Sequence, residues 1–233
     1  SSYAACVCGQ VNHWEKIMNN TMKFGARSKQ LLLALMAMGS CASVQAQTII
    51  SEVLYDAAGT DNGNAFVELF GPPGTSLDGW LLQGVNGADG NVYRNVALAG
   101  TIPPDGVFVI GDDSGDGTTL VGAADLVREV DFQNGPDSIL LRDDAVLLDA
   151  LGYGDFSGGV FAGEGSAAPD VVAGNSLARL DLLLDRNDNL LDFAALDMPT
   201  PGEVPLASVP VPPAALLFLS GMLGLAGIAR KRS

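Results

Sequence analysis

Apolar residues recur at alternate positions, or in short β-branched runs, through the middle of this chain. The runs TIISEVLY, AFVELF, GWLLQG, GVFVIG, DSILLRD and AVLLDALGY carry the pattern. Period-two alternation places successive side chains on opposite faces of an extended strand, so each run predicts a β-strand. Turn residues bound them in DNGN, GPPG, NGADGN, PPDG and NGPD, where Gly, Asn, Asp and Pro supply the backbone angles a reversal needs. Strands spaced roughly ten residues apart predict an all-β sandwich. No apolar stripe of helical period runs far enough for a sizeable helix. DVVAGNSLARLDLLLDRNDNLLDF is the ambiguous stretch; Gly174-Asn175 reads as a turn and SLARLDLLL as the strand after it.

Both ends break this pattern. Lys23, Arg27 and Lys29 precede an apolar run over residues 31–38, and Val44-Gln45-Ala46 sets small residues at a cleavage position. That order predicts a secretory signal peptide over residues 22–46, removed by signal peptidase after Ala46 to leave Gln47 first. Met22 is the expected start, which makes residues 1–21 an upstream extension. Lipidation of Cys41, in MGSC, is the competing use of the same segment. Residues 204–213 form a Pro-rich linker, and residues 214–229 are uncharged. As a helix that run spans about 24 Å at roughly 1.5 Å per residue, short of a hydrocarbon core of about 30 Å. Arg230, Lys231 and Arg232 follow and would stay cytoplasmic. Residues 214–233 thus predict a transmembrane segment with a basic tail, suited to temporary retention.

Charge divides the chain in the same way. Residues 47–208 hold 26 of the 27 acidic residues against five arginines and no lysine. Such a surface repels phosphate backbones, which argues against nucleic acid as a partner. The cysteines (Cys6, Cys8, Cys41) and the single histidine, His13, all lie upstream of Gln47. The middle therefore lacks thiolate chemistry, disulfides and an imidazole base, and reads as non-enzymatic.

The residues at the C-terminal end resemble a known signal. Val209, Pro210, Val211, Pro212 and Pro213, then the apolar run SGMLGLAGIA, then the basic knot, follow the order of the PEP-CTERM sorting signal of Gram-negative bacteria. Val211 stands where the name-giving motif has glutamate, as in its VPxP variants. The resemblance implies recognition by exosortase, transient anchoring in the inner membrane and release to the cell surface or beyond. The middle also resembles a family. ISEVLYDAAGTDNGNAFVELF, LDGWLLQ, IPPDGVFVIGD, FQNGPDSILLRDD, LLDALGYGD and PTPGE occur in the order of lamin-tail domains. That likeness covers residues 47–203 and implies an immunoglobulin-like β-sandwich serving as an association module rather than catalysing a reaction. Together the two resemblances imply an exported structural or adhesive protein, with exopolysaccharide or other matrix proteins as partners. An accessory domain of a secreted hydrolase is the alternative from another class.

Two acidic loops raise calcium as a ligand. DDSGDG places Asp112 and Asp116 at alternating oxygen positions before a glycine, but Ala123 stands where a bidentate glutamate belongs. DRNDNLLD sets Asp185, Asn187 and Asn189 at positions one, three and five, with Leu190 in the glycine position. Each loop reads either as a solvated turn or as a weak calcium site of roughly millimolar affinity. Glu52 and Glu68 sit inside apolar runs and read as buried or edge-capping carboxylates, or else as an acid/base pair. Alternation puts Glu52 on one face with Ile50 and Leu54, and Glu68 with Phe66 and Phe70. Trp80 reads as the large aromatic of the core.

Overall fold

The computed structural model describes residues 47–203. The signal segment, the upstream extension and the sorting segment, with Ala46 and residues 209–232, lie outside the described residues. Gln47 is the first described residue and is exposed.

Ten strands form two sheets. They are β1 (Ile49–Leu54), β2 (Phe66–Phe70), β3 (Trp80–Asn86), β4 (Val92–Ala97), β5 (Val107–Asp112), β6 (Leu126–Arg128), β7 (Asp137–Asp143), β8 (Val146–Tyr153), β9 (Ser176–Arg179) and β10 (Phe193–Leu196). One sheet runs β10-β9-β1-β2-β5-β6 and the other β4-β3-β7-β8. All pairings are antiparallel except β5 with β6. The helix α1 (Asn189–Asp192) is a single turn between β9 and β10. The expected all-β, two-sheet architecture is present. Among the described residues no helix is long and apolar enough to cross a membrane.

The core lies between the sheets. Ile50, Val53, Val67, Leu69 and Ile110 project from the first sheet, and Leu82, Ile139, Leu141, Leu151 and Tyr153 from the second. Ile50 and Val53 apart, these are the alternate positions of their strands, as period-two geometry requires. Tyr55 and Tyr153 stack at 4.2 Å between ring centres inside this core. A second apolar cluster, including Phe66, Phe70, Val107 and Val109, belongs to the opposite face of the first sheet.

Three strands lie outside the expected runs. β4 reads VYRNVA, with polar residues at its centre, because it is a sheet edge with only Val96 buried in the core and Tyr93 packed against it. β6 has three residues and β10 only four, too short for alternation to register. The ambiguous SLARLDLLL divides at Arg179: Ser176–Arg179 is strand, and the following leucines occupy turns. Trp80 is only partly buried against the core, since it opens β3 at the rim. The largest fully buried side chains are instead tyrosines and phenylalanines, among them Phe132 and Phe193.

One irregularity positions the chemistry. The β1–β2 register shifts between Ile50 and Glu52. A bulge adds a residue and so changes which face the side chains before it take. Ile50 and Val53 therefore both enter the inter-sheet core, while Glu52 and Leu54 belong to the outer face. Simple alternation had put Ile50 on the Glu52 face, and the bulge at Ser51 reverses that.

Candidate functional site

At one end of the inter-sheet core a charged cluster replaces apolar packing. Asp149 shares the core-facing alternation of Leu151 and Tyr153 on β8, and Arg179 that of Leu177 on β9. Both side chains are fully buried. Arg179 Nη2 donates to Asp149 Oδ1 and Oδ2 at 3.0 and 2.9 Å. Its Nε donates to the Ile50 carbonyl at 3.0 Å, and Nη1 reaches Asp185 at 3.3 Å and Asp192 at 3.5 Å. The guanidinium also lies 4.6 Å from the centre of the Phe193 ring, on its face. Asp149 Oδ2 accepts the Ile50 N–H at 2.6 Å, an amide beside the bulge. One charged nitrogen thus bridges both carboxylate oxygens, and Asp149 Oδ1 also accepts the Ala150 amide at 3.0 Å.

The loop after β9 closes the cluster. Asp192 accepts from the Arg186 amide and guanidinium, each at 2.9 Å. Burial alone would raise the Asp192 carboxyl, but Arg186 and Arg179 hold it below its ordinary range. Asn189, at the start of α1, donates to the Ala150 carbonyl and accepts from the amides of Gly152 and Glu164. It thereby ties this loop to β8. Glu164 has a buried Oε2 with no hydrogen-bond partner among the described residues. Burial first, then the charges of Asp149 and Asp185, push its carboxyl up to about 7. Carboxylate oxygens of Asp149, Glu164 and Asp185 lie within 4.8 Å of one another and form the one group among the described residues that could hold a cation. A divalent ion there would have to displace the guanidinium from Asp149.

A second site occupies the outer face of the first sheet. Glu52 and Glu68 are cross-strand partners and both are buried. They line a cleft of about 460 Å³ with Ala178, Leu196, Thr200 and Glu203. Glu52 Oε1 accepts from the Ser176 hydroxyl at 2.6 Å and the Thr200 amide at 2.9 Å, and Oε2 from the Thr200 hydroxyl at 2.8 Å. Glu68 accepts from the Ser51 hydroxyl at 2.7 Å and the Gly202 amide at 2.8 Å. Burial, reinforced by the charges of Glu52 and Asp105 and opposed by these two hydrogen bonds, pushes the Glu68 carboxyl up to about 7. The carboxylates thus hold the turn over residues 200–203 onto the sheet. That is the structural one of their two expected uses, and no histidine or cysteine occurs in residues 47–203 to assist catalysis.

The expected calcium positions fall in separate places. Asp112 is buried at the end of β5, where it accepts from the amides of Gly63 (2.9 Å), Val130 (3.0 Å) and Asp131 (3.0 Å). It stitches three loop amides together; Gly63, at φ 78°, supplies the left-handed turn that aims one of them. Asp116 is exposed and accepts from the Thr118 amide and hydroxyl in a local turn. In the second loop Asp185 accepts from Arg179 and the Asn187 amide, and Asn187 sits at φ 52°. Asn189 is fully buried with its side-chain oxygen committed to two amides. Only Asp185 of the five joins the carboxylate group that could hold a cation. Asp149, Glu164, Arg179 and Asp192 escaped the sequence reading. For Asp149 and Arg179 the one visible signal was a charge at a core-facing strand position, as in Asp149 of VLLDALGY.

No family model, no curated protein and no solved structure matches this chain.

Proposed function

We propose that this chain is an exported, non-enzymatic surface or extracellular-matrix protein whose immunoglobulin-like, lamin-tail-like sandwich serves as a structural and adhesive module. Export through the signal segment ahead of Gln47 and sorting by exosortase through Val209–Pro213 and the basic tail are part of that reading. The observation that carries it is a lobe of exposed leucines. Leu180, Leu183, Leu184, Leu190 and Leu191 are each between 44% and 65% exposed and lie within one loop region beside the sheet-edge strand β10. Scattered apolar residues are ordinary on surfaces, but five exposed leucines within twelve residues, interspersed with Asp181, Asp185 and Asp188, have the composition of a contact surface. Its chemistry favours a protein of the matrix over a bare polysaccharide.

Pull-down of the purified chain with the producing cell's matrix tests the reading. Binding should fall at least tenfold in Leu184→Ser/Leu191→Ser while the melting temperature holds. Equal binding by that variant, or no binding by the wild type, would refute the adhesive role. Unchanged release after replacement of Pro210 and Pro212 would refute the sorting assignment. The Asp149, Glu164 and Asp185 group supports a second reading, a calcium-dependent module, for which capture would have to vanish on chelation.

A further inference from the structure

The strongest unexplained arrangement is the glutamate pair on the outer face. Two carboxylates occupy one cross-strand pair, where like charges oppose each other, and among the described residues neither is in an ion pair. Their hydrogen bonds to Thr200 and Gly202 hold the last described turn in place. We propose that the turn over residues 200–203 is a proton-sensitive latch, closed over the Glu52–Glu68 pair in acid and loosened at neutral pH.

The chemistry of Glu68 supports both positions of the latch. As a neutral acid its hydroxyl can donate to Ser51 Oγ, because that hydroxyl reverses freely from donor to acceptor. Its other oxygen keeps accepting the Gly202 amide. Closed geometry therefore survives protonation with Glu68 still bonded to both partners. Ionisation keeps the same hydrogen bonds but adds a buried charge opposite Glu52 and near Asp105. Glu203 brings a further negative charge to the cleft from the turn itself. Arg179, beside the cleft, turns its buried side chain into the core, where it is committed to Asp149, Asp185 and Asp192. Lifting the turn exposes Glu68 to water and relieves the repulsion.

The sign follows by linkage. A carboxyl at about 7 when closed and 4.5 when solvated favours the closed form fully below 4.5. That preference is lost progressively up to about 7 and changes no further above it. The interval corresponds to an opening constant that rises up to about 300-fold. The latch stands independently of the sorting reading, which concerns chain beyond it.

Hydrogen exchange on the full chain in detergent tests the latch, with rates at each pH divided by the intrinsic exchange rate. The Gly202 amide should open more readily by about two orders of magnitude from pH 4.5 to 7, then level off. Val53 and Leu69 amides report the core and should not follow it. In Glu68→Gln the Gly202 opening constant should be flat with pH. A flat wild-type profile, the same rise in Glu68→Gln, or equal opening of the core amides would each overturn the proposal. If that variant fails to fold, carbon-13 titration of wild-type Glu68 decides: a midpoint near 4.5 overturns the latch, and one near 7 supports it.

Discussion

Asp149 and Arg179 meet at 2.9 Å inside the core, one from each sheet. Arg179 also faces Asp185 and Asp192, whereas Asp149 faces one cation. Removing one partner of a buried pair leaves the other charge uncompensated and costs about 3–5 kcal/mol. Arg179→Met strands more carboxylates than Asp149→Asn strands cations, so it is expected to be the worse of the two. Urea unfolding should show that order, and Asp149→Leu/Arg179→Met should cost less than the sum of the single changes.

Acid should stabilise the domain relative to neutral pH. Glu68 and Glu164 both have carboxyls pushed up to about 7 from 4.5. A raised carboxyl contributes stability that is complete below its unfolded value and lost as pH rises through the folded one. The melting temperature is expected to fall between pH 5 and pH 7.5, and Glu164→Gln should flatten part of that fall. A melting temperature that rises over this interval would contradict the prediction.

Asp112 is expected to matter for folding with or without calcium. Its three backbone partners, two of them buried, lose their acceptor in Asp112→Ala, at about 1–3 kcal/mol for each buried amide left without another. Asp116→Ala removes only an exposed turn contact and should cost under about 1 kcal/mol. Melting curves of both variants in calcium and in chelator measure this. A deficit in Asp112→Ala that appears only with calcium present would restore the metal reading of that loop.

Salt should raise the melting temperature of the wild type by screening its 26 acidic residues, which outnumber five arginines across residues 47–208. Sodium chloride titration by calorimetry reads this directly, and a temperature independent of salt would contradict it.

The strands that face the core were legible because a half-buried strand imposes a period on its sequence. DSILLRD became β7 over the same seven residues. β4 and β10 were not legible, since edge strands have few buried positions to reveal them. The candidate sites were harder still. Glu52 and Glu68 stood out as charges in apolar runs, but their pairing depends on a bulge that shifts register, and alternation cannot show one. Arg179 and Asp149 lie 30 residues apart and meet only when two sheets close. Asp112 was visible as part of an acidic loop, but its partners were not, because backbone amides from elsewhere in the fold leave no trace in the local sequence.

β1 lies between β2 and β9, so the first strand is an interior strand of its sheet. Glu52 finds its donors 124 and 148 residues downstream, and Ile50 exchanges hydrogen bonds with groups 99 and 129 residues away. A ribosome or a translocation channel delivers the chain N-terminus first. Until the stretch from Ser176 to Gly202 has been delivered, β1 has an unpaired edge and the charges of the core lack their arginine. The domain therefore cannot complete itself until that stretch has been delivered, and its folding waits on it.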